Sequence, residues 1–244
     1  MARASIYVTG TDTGVGKTLV STSILHALRA RGLRAVGMKP VASGCRRVDE
    51  QWRNEDALLL QAASEPRPAY MDLNPYALIQ PLAPEVAARD EGVQIELEPM
   101  LRAWSRLAAQ ADAVVVEGVG GWAAPLSPSL DQCELVAALD LQVVMVVGLR
   151  LGCINHARLT ARAIAADGAR LIGWVASEID PAMDRIDDSY ALLHKRLEVP
   201  CWGRLPYREN ASAQDMASTL QLPPWPPGTG SPDFRHGGGA RPRM

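Results

Sequence analysis

SIYVTGTDTGVGKT, residues 5–18, is the stretch that decides the fold. SIYVT has the apolar character of a buried β-strand, GTDTGVG is rich in glycine, and an amphipathic helix pattern begins at Lys17. Glycines and small residues let successive backbone N–H groups turn inward around phosphate oxygens, and a helix N-terminus adds partial positive charge. A strand, loop and helix in this order predict a phosphate-binding loop for a nucleoside triphosphate.

The spacing of this loop differs from the common GxxxxGK[ST] pattern, because its first glycine, Gly10, lies one position too early. We therefore predict a variant loop that is one residue longer. Lys17 is expected to reach the β- and γ-phosphates, and the Thr18 hydroxyl to ligate Mg²⁺. The residues predicted to surround the nucleotide phosphates are Asp12, Thr13, Gly14, Val15, Gly16, Lys17 and Thr18.

The rest of the chain alternates short apolar runs with longer amphipathic stretches, which is typical of βαβ units. We predict an α/β fold of the P-loop NTPase type, with a mostly parallel sheet and helices on both faces. Residues 1–222 are assigned to one domain, and the Pro/Gly-rich tail 223–244 is expected to be disordered. The predicted strands are Ile6–Thr9, Ala35–Met38, Ala113–Glu117, Gln142–Val147, Leu171–Ala176 and Pro200–Leu205. The predicted helices are Lys17–Arg31, Asn54–Ala63, Pro99–Ala111, Ile154–Asp167 and Met183–Leu197.

Charge and composition narrow the class of partner. The formal net charge is −2, and basic and acidic residues are interspersed, so nothing favours binding to nucleic acid or to an anionic membrane. We find no signal-peptide pattern and no apolar run long enough to cross a bilayer. The expectation is a cytoplasmic protein without nucleic-acid or membrane partners. The four cysteines lack metal-site spacing, and no chemistry is assigned to them.

A second polar cluster, GMKPVASG, follows the second predicted strand. Ligands of open α/β sheets lie beyond the carboxyl ends of the strands, so Lys39 and Ser43 are expected to face the phosphate loop. Lys39 is one of only three lysines among 25 basic residues, which suggests a need for a compact point charge. The alternative is an exposed lysine in a turn.

Two acidic residues lie at the ends of predicted elements, Glu117 at the end of a strand and Asp56 near the start of a helix. Glu117 closes the apolar strand AVVVE, where an isolated carboxylate is costly unless it has a role, so we predict a Mg²⁺ ligand opposite the phosphate loop. Asp56 lies near the start of a predicted helix. From the residues alone, a capping or dipole-matching acid is the favoured interpretation for Asp56.

Several segments together resemble one family. GTDTGVGKT, KPVASG, NEDALLLQ, NPY, VVVEGVGGWAAPL, VVGLRLGCINHA and GWVAS occur in that order over roughly residues 5 to 210. In this order they are similar to dethiobiotin synthetase, a P-loop enzyme of biotin biosynthesis. EGVGGW and LGCINH are much more specific signals than the phosphate loop, which many NTPases share.

The resemblance implies an ATP- and Mg²⁺-dependent ring closure that forms C–N bonds. In this reaction, 7,8-diaminononanoate takes up CO2 as a carbamate, ATP phosphorylates the carbamate, and the second amine closes a cyclic urea. ATP is then a co-substrate that leaves as ADP and phosphate. Two anions must be brought together, which needs concentrated positive charge from groups such as Lys17 and Lys39.

The resemblance also implies roles for individual residues. Lys39 and Lys17 would be catalytic, with Lys39 stabilising the carbamate and the transferred phosphoryl group. Thr18, Asp56 and Glu117 would hold Mg²⁺, which changes the interpretation of Asp56 from capping acid to metal ligand. A homodimer is implied, with the substrate site at the interface. The substrate contacts are Ser43, Gly118, Gly152, Cys153, Ile154, Asn155 and Tyr190, and further nucleotide contacts are Asp56, Glu117, Gly118, Gly120, Ser177, Pro206, Tyr207, Arg208 and Asn210.

One departure from the family pattern concerns the nucleotide base. The family commonly has Asn after GWVA, and this chain has Ser177, whose single hydroxyl cannot form the paired hydrogen bonds of an amide. The aromatic residue of the base-side loop is Tyr207. The family pattern does not explain the Pro/Gly-rich tail.

Two other classes of P-loop protein share the phosphate loop with this family. A partitioning-type switch ATPase usually carries a second lysine near the start of the phosphate loop, and GTDTG has none. An amide-forming relative, such as the corrinoid amidating enzymes, normally also carries a glutaminase domain. Neither accounts for the ordered set of motifs.

Overall fold

The computed structural model describes residues 4–210 and 212–226. Its strands are β1 (Ala4–Gly10), β2 (Ala35–Met38), β3 (Val41–Ala42), β4 (Arg46–Val48), β5 (Gln51–Arg53), β6 (Tyr76–Ala77), β7 (Ala113–Glu117), β8 (Pro125–Ser127), β9 (Leu130–Asp131), β10 (Gln142–Leu149), β11 (Arg170–Glu178) and β12 (Cys201–Leu205). Its helices are α1 (Lys17–Ala30), α2 (Glu55–Ala63), α3 (Tyr70–Leu73), α4 (Pro84–Glu91), α5 (Leu97–Gln110), α6 (Gln132–Ala138), α7 (Cys153–Ala166), α8 (Ile186–Arg196) and α9 (Ala213–Ala217).

Six strands form one parallel sheet in the order β12-β11-β10-β1-β7-β2. Because β1 lies between β10 and β7, the chain changes winding direction there, and this is where open α/β sheets bind ligands. The register pairs Val8 of β1 with Glu117, the last residue of β7, so β7 ends beside β1 two residues before β1 itself ends. The carboxyl ends of β1, β7 and β2 therefore form one continuous edge.

Side chains alternate between two apolar layers along β1. Ile6 and Val8 are fully buried in a layer with α1 and α2, including Leu25 and Leu60. Tyr7 points the other way, into a layer that contains residues of α5, α6 and α7. Burying apolar area on both faces stabilises the sheet and accounts for strands that do not alternate with polar residues, such as the Ala-Val-Val-Val run of β7.

The predicted α/β class and parallel sheet with helices on both faces are confirmed, and all six predicted strands and five predicted helices are present. Apart from α2, the sequence analysis missed the short elements between β2 and α5, and it also missed those between β7 and β10. These have only two to eight residues, too few to show a clear period.

The predicted tail begins at residue 223, and the structure describes only its first residues. Arg31 donates hydrogen bonds to the carbonyl oxygens of Leu222 and Pro223, both at 2.7 Å, and Trp225 packs against the apolar core. Ordered contacts thus continue past the predicted boundary at residue 222. The disorder predicted for 227–244 concerns residues outside those that the structure describes. Among the helices of residues 4–210 and 212–226, none combines the length and apolar character needed to span a membrane.

Candidate active site

The phosphate loop, Lys39 and Glu117 meet at the carboxyl edge of the sheet. The loop follows β1, Lys39 directly follows β2, and Glu117 is the last residue of β7. Together they border a cavity of about 390 Å³. The cavity is lined by Thr13, Gly14, Gly16, Lys17, Thr18, Lys39, Ala42, Ser43, Asn54, Asp56, Glu117, Val119 and Gly120.

The phosphate loop wraps back on itself before α1 begins. The Lys17 ammonium donates a hydrogen bond to the backbone oxygen of Asp12 at 3.0 Å. Burial lowers the pKa of Lys17 to about 8, and the positive charge of Lys39 adds to this effect. A phosphate anion in the loop would favour the protonated form of Lys17, as expected for a residue that binds phosphate.

Gly16 has a backbone φ of 87°, in the left-handed region, and a Cβ there would lie 2.5 Å from the Ser177 hydroxyl oxygen. We expect Gly16→Ala to add about 1–2 kcal/mol of backbone strain and also to distort the loop. Affinity for an ATP analogue should fall by about tenfold or more in isothermal titration calorimetry.

Gly32→Ala is the matched control for Gly16→Ala. Gly32 has a similar φ of 81° with nothing within 4 Å of an added Cβ, and it lies beyond the far end of α1. Gly32→Ala should add a similar backbone strain and leave the affinity for nucleotide unchanged. Equal affinities of the two variants would contradict the importance of the Gly16 contact.

Lys39 is a buried cation held by carboxylates. Its ammonium lies 2.7 Å from Glu117 Oε1 and 3.5 Å from Asp56 Oδ2, and it donates to the backbone oxygen of Gly118 at 3.0 Å. Burial alone would lower the pKa of Lys39, but the negative charges of Glu117 and Asp56 outweigh it and hold the pKa above its ordinary value. Lys39 therefore stays charged, and the alternative of an exposed turn lysine is wrong.

Glu117 is fully buried and lies between two of the predicted site residues. Its Oε1 accepts hydrogen bonds from Lys39 and from the Thr18 hydroxyl, the latter at 2.9 Å. Its Oε2 has no hydrogen-bond partner among the described residues. A buried carboxylate oxygen without a partner is costly, which points to an ion or ligand not included in the structure.

Asn54 caps α2, so of the two roles favoured for Asp56 from the residues alone, capping is wrong, while Asp56 does lie in the first turn, where an acid matches the helix dipole. The Asn54 side chain accepts a hydrogen bond from the Ala57 N–H at 3.2 Å, and its amide donates to the Ser43 backbone oxygen at 3.2 Å. Asp56 instead lines the cavity and pairs with Lys39. The sequence analysis missed Asn54, although Asn before a helix pattern is a recognisable capping signal.

The backbone of Lys39 is fixed by hydrogen bonds with neighbouring residues that the sequence analysis also missed. The Asn74 amide donates to the Lys39 backbone oxygen at 2.7 Å, and the Lys39 N–H donates to the Leu73 oxygen at 2.8 Å. The Tyr70 hydroxyl in turn donates to the Asn74 side chain at 3.0 Å. Asn74 belongs to the NPY motif, which the sequence analysis uses only as part of the family resemblance.

The residues predicted to surround the nucleotide base are divided between the phosphate loop and the edge strand β12. Ser177 is buried near the end of β11, with its hydroxyl beside Gly16. Residues Pro206, Tyr207, Arg208 and Asn210 follow β12, the neighbouring strand. Tyr207 is exposed, and its N–H donates to Glu178 at 3.1 Å.

The predicted substrate residues fall into two groups. Ser43 lines the cavity, while Gly118 lies behind it, because a Cβ there would be 2.4 Å from the Tyr7 hydroxyl. Residues Gly152, Cys153, Ile154 and Asn155 form the start of α7 and do not line this cavity. Tyr190 lies on α8, with its hydroxyl 3.5 Å from the Cys201 sulfur.

One ion pair connects the phosphate loop with the region before α7. Arg150 pairs with Asp12, and the Thr13 N–H donates to the same carboxylate at 2.7 Å. The Thr13 N–H and Arg150 together lower the pKa of Asp12. The loop and the start of α7 are therefore held on the same edge of the sheet.

A phosphate loop at the winding change of a parallel sheet, facing a buried Lys39 and Glu117, defines a P-loop nucleotide-binding protein. Comparison with known proteins agrees with this class and narrows it. Residues 4–215 match a family model described as AAA domain. An ATP-dependent dethiobiotin synthetase BioD of Xanthomonas oryzae is 65% identical over 91% of this chain and 100% of the relative. The corresponding protein of Xylella fastidiosa is 62% identical over 85% of this chain and 92% of the relative.

The chain belongs to the dethiobiotin synthetase family, and the resemblance seen in its motifs is confirmed. Solved structures support the fold alone. A ParA family ATPase of Chlorobium tepidum aligns with a TM-score of 0.53 at 14% identity, covering 90% of this chain and 91% of that one. A MinC:MinD complex of Aquifex aeolicus aligns with a TM-score of 0.52 at 15% identity, covering 88% and 85%.

Proposed function

We propose that this enzyme converts 7,8-diaminononanoate and CO2 to dethiobiotin, with ATP as the phosphoryl donor. The observation that carries the proposal is the buried, charged Lys39, which borders one cavity together with Lys17 of the phosphate loop. Two lysines in one cavity can neutralise the γ-phosphate and a second anion beside it. A carbamate is such an anion.

Mg²⁺ fits the donor groups at this edge. Thr18, Glu117 and Asp56 would hold it, and the unpartnered Oε2 of Glu117 supplies a free ligand oxygen. Bound Mg²⁺ would neutralise charge on the β- and γ-phosphates. Among the described residues no group of three or more His, Cys, Asp or Glu forms a metal site, so the Thr18 hydroxyl and nucleotide oxygens must complete the set.

The reaction begins with carbamate formation and phosphoryl transfer. One amine of the substrate attacks CO2, so a C–N bond forms and the nitrogen loses a proton. A carbamate oxygen then attacks the γ-phosphorus of ATP, and ADP leaves. Lys39, held by Glu117 and Asp56 on the cavity wall, would stabilise the carbamate and the transferred phosphoryl group, and Lys17 would hold the β- and γ-phosphates.

Ring closure follows from the mixed carbamic-phosphoric anhydride. The second amine attacks the carbonyl carbon and a C–N bond forms, while the bond from that carbon to the bridging oxygen breaks. Phosphate leaves with this oxygen, and the nitrogen loses its proton to solvent. Ser43 on the cavity wall would contact the substrate, and Gly120 on the same wall, supported from behind by Gly118, would shape the crevice between substrate and phosphate. Ser177 would face the nucleotide base, with Pro206, Tyr207, Arg208 and Asn210 on its other side.

The substrate tail and its carboxylate are proposed to reach a second copy of the chain, at Gly152, Cys153, Ile154, Asn155 and Tyr190. These residues do not line the cavity of their own chain. Beside them, Leu151 is 94% exposed, and Leu159 of α7 and Leu192 of α8 are also exposed. An apolar surface of this kind next to predicted substrate residues supports a homodimer.

Leu151→Arg is expected to weaken the dimer, because a charge would be buried in an apolar interface. The dimer dissociation constant, measured by analytical ultracentrifugation, should rise by about 100-fold or more. Turnover at dilute enzyme should fall with it. Met71→Arg, which changes a 77% exposed side chain on α3, should alter neither. A Leu151→Arg protein that remains dimeric and active would contradict the proposed interface.

A direct assay tests the function. The purified chain is incubated with 7,8-diaminononanoate, bicarbonate, MgCl2 and ATP, and products are quantified by mass spectrometry. One dethiobiotin should form for each ADP, and ADP should not accumulate without the diamine. ATP hydrolysis that is stimulated by DNA or lipid and not by the diamine would instead support a partitioning-type switch ATPase. The similarity of the chain to a solved structure of that class is in the fold alone.

A further inference from the structure

Gln132 is a buried side chain that holds the loop following β7. It is the first residue of α6 and only 2% exposed. Its amide nitrogen donates to the backbone oxygens of Val119, Gly121 and Ala124 at 3.0, 2.9 and 3.2 Å. Two N–H groups are thus shared among three carbonyl oxygens of one short loop.

The oxygen of Gln132 is also fully used. It accepts hydrogen bonds from the Val119 N–H at 2.9 Å and from the Tyr7 hydroxyl at 2.5 Å. Tyr7 lies on β1, and burial and the nearby negative charge of Glu117 raise its pKa, so the hydroxyl keeps its proton and remains a donor. One amide therefore connects the start of α6, the strand before the phosphate loop and the loop after β7.

The start of α6 is itself rigidly capped. The Glu134 carboxylate accepts from the Asp131 N–H at 2.8 Å, and the Asp131 side chain accepts in return from the Glu134 backbone, which is a capping box. Gln132 thus projects from a fixed point rather than from a mobile helix end.

The loop that Gln132 holds forms part of the cavity wall. Val119 and Gly120 line the cavity, and Glu117 immediately precedes them. A Cβ on Gly121 would lie 3.6 Å from the Gly10 oxygen, so this part of the loop also packs on the phosphate loop. A shift of this loop would therefore move the part of the cavity wall that directly follows Glu117.

We propose that Gln132 is a positioning residue, which fixes the loop 118–124 against the phosphate loop so that Glu117 and the cavity wall hold the geometry required for phosphoryl transfer. The consequence for turnover rests on the proposed function. The effect on the loop itself does not. Gln132 contacts neither substrate nor nucleotide in this account, so its effect on catalysis is transmitted through the loop.

Gln132→Met removes all five hydrogen bonds with a side chain of similar length. Hydrogen exchange of the Val119 amide should become about tenfold faster or more. In the dethiobiotin assay, kcat should fall by about tenfold or more. Tyr7→Phe removes one of the five bonds and should shift both quantities in the same direction by a smaller factor.

Gln61→Met is the matched control for general loss of stability. Gln61 is also buried, at 9% exposure, and its amide holds the Pro68 oxygen at 2.9 Å, outside the cavity wall. Gln61→Met should lower the melting temperature about as much as Gln132→Met does. It should leave Val119 exchange and kcat within about twofold of the unmodified enzyme.

Unchanged Val119 exchange and kcat in folded Gln132→Met would overturn the proposal. If Gln132→Met does not fold, the same two measurements are made on Tyr7→Phe. Unchanged Val119 exchange and kcat in Tyr7→Phe would then overturn the proposal. If the unmodified chain makes no dethiobiotin, the proposed function fails, while the exchange data still decide whether Gln132 fixes the loop.

Discussion

Lys39→Ala is expected to abolish turnover, lowering kcat by about 1,000-fold or more, while an ATP analogue still binds. Lys39 is one of two buried lysines beside the cavity, and no other lysine can replace it, since Lys17 holds the phosphate loop and Lys195 is exposed on α8. The measurements are steady-state dethiobiotin formation and calorimetric titration with a non-hydrolysable ATP analogue.

Stability must be measured in parallel with turnover for Lys39→Ala. Removing one partner of a buried ion pair destabilises a protein by about 3–5 kcal/mol, since Glu117 would lose its closest counter-charge. Assays are therefore run well below the melting temperature of the variant. Lys195→Ala is the control, with unchanged activity and stability. Turnover by folded Lys39→Ala at a rate close to that of the unmodified enzyme would refute the role of Lys39.

Glu117→Gln is expected to have the second large effect, through the metal. The amide retains the shape of the side chain but loses the negative charge that Mg²⁺ requires. We expect kcat to fall by about 100-fold or more and the Mg²⁺ concentration for half-maximal rate to rise by about tenfold. Titration of MgCl2 at saturating ATP and diamine measures both quantities.

Asp112→Asn is the control for Glu117→Gln, because Asp112 precedes β7 at its opposite end. It pairs with Arg34 at 2.7 Å, and the Arg34 side chain is exposed while that of Asp112 is partly exposed. An exposed pair of this kind contributes about 0–1 kcal/mol, so activity and Mg²⁺ dependence should be unchanged. A Glu117→Gln enzyme with the same Mg²⁺ requirement as the unmodified one would exclude Glu117 as a ligand.

The sheet and the main site residues could be predicted from the sequence because their signals are local. The phosphate loop is a continuous pattern, and Lys39 and Glu117 stand directly after or at the end of apolar runs. The rule that strand ends share one edge was enough to bring these residues together, and the structure confirms that they border one cavity.

Asp56 shows where local reasoning fails. From the residues alone, an acid in the first turn of a helix is most simply a dipole-matching group. Its pairing with Lys39 depends on the packing of α2 beside β2, which no periodic pattern reports. The neighbouring Asn54 supplies the cap, and an Asn directly before a helix pattern is a signal that the sequence does contain.

Gln132 could not have been found from the sequence. Its bond to Tyr7 joins residues 125 positions apart, and its neighbours along the chain form a helix start of ordinary composition. Contacts of this kind depend on the completed fold, since α6 must be docked before its first side chain can reach the loop after β7.

The oxygen atoms of CO2 provide the most direct test of phosphoryl transfer to a carbamate in this site. The enzyme is mixed with ¹⁸O-labelled CO2, the diamine and unlabelled ATP, and phosphate is analysed by mass spectrometry before the label exchanges with water. Attack by a carbamate oxygen on the γ-phosphorus predicts one ¹⁸O atom in each phosphate released with dethiobiotin. Formation of dethiobiotin with unlabelled phosphate would contradict the account.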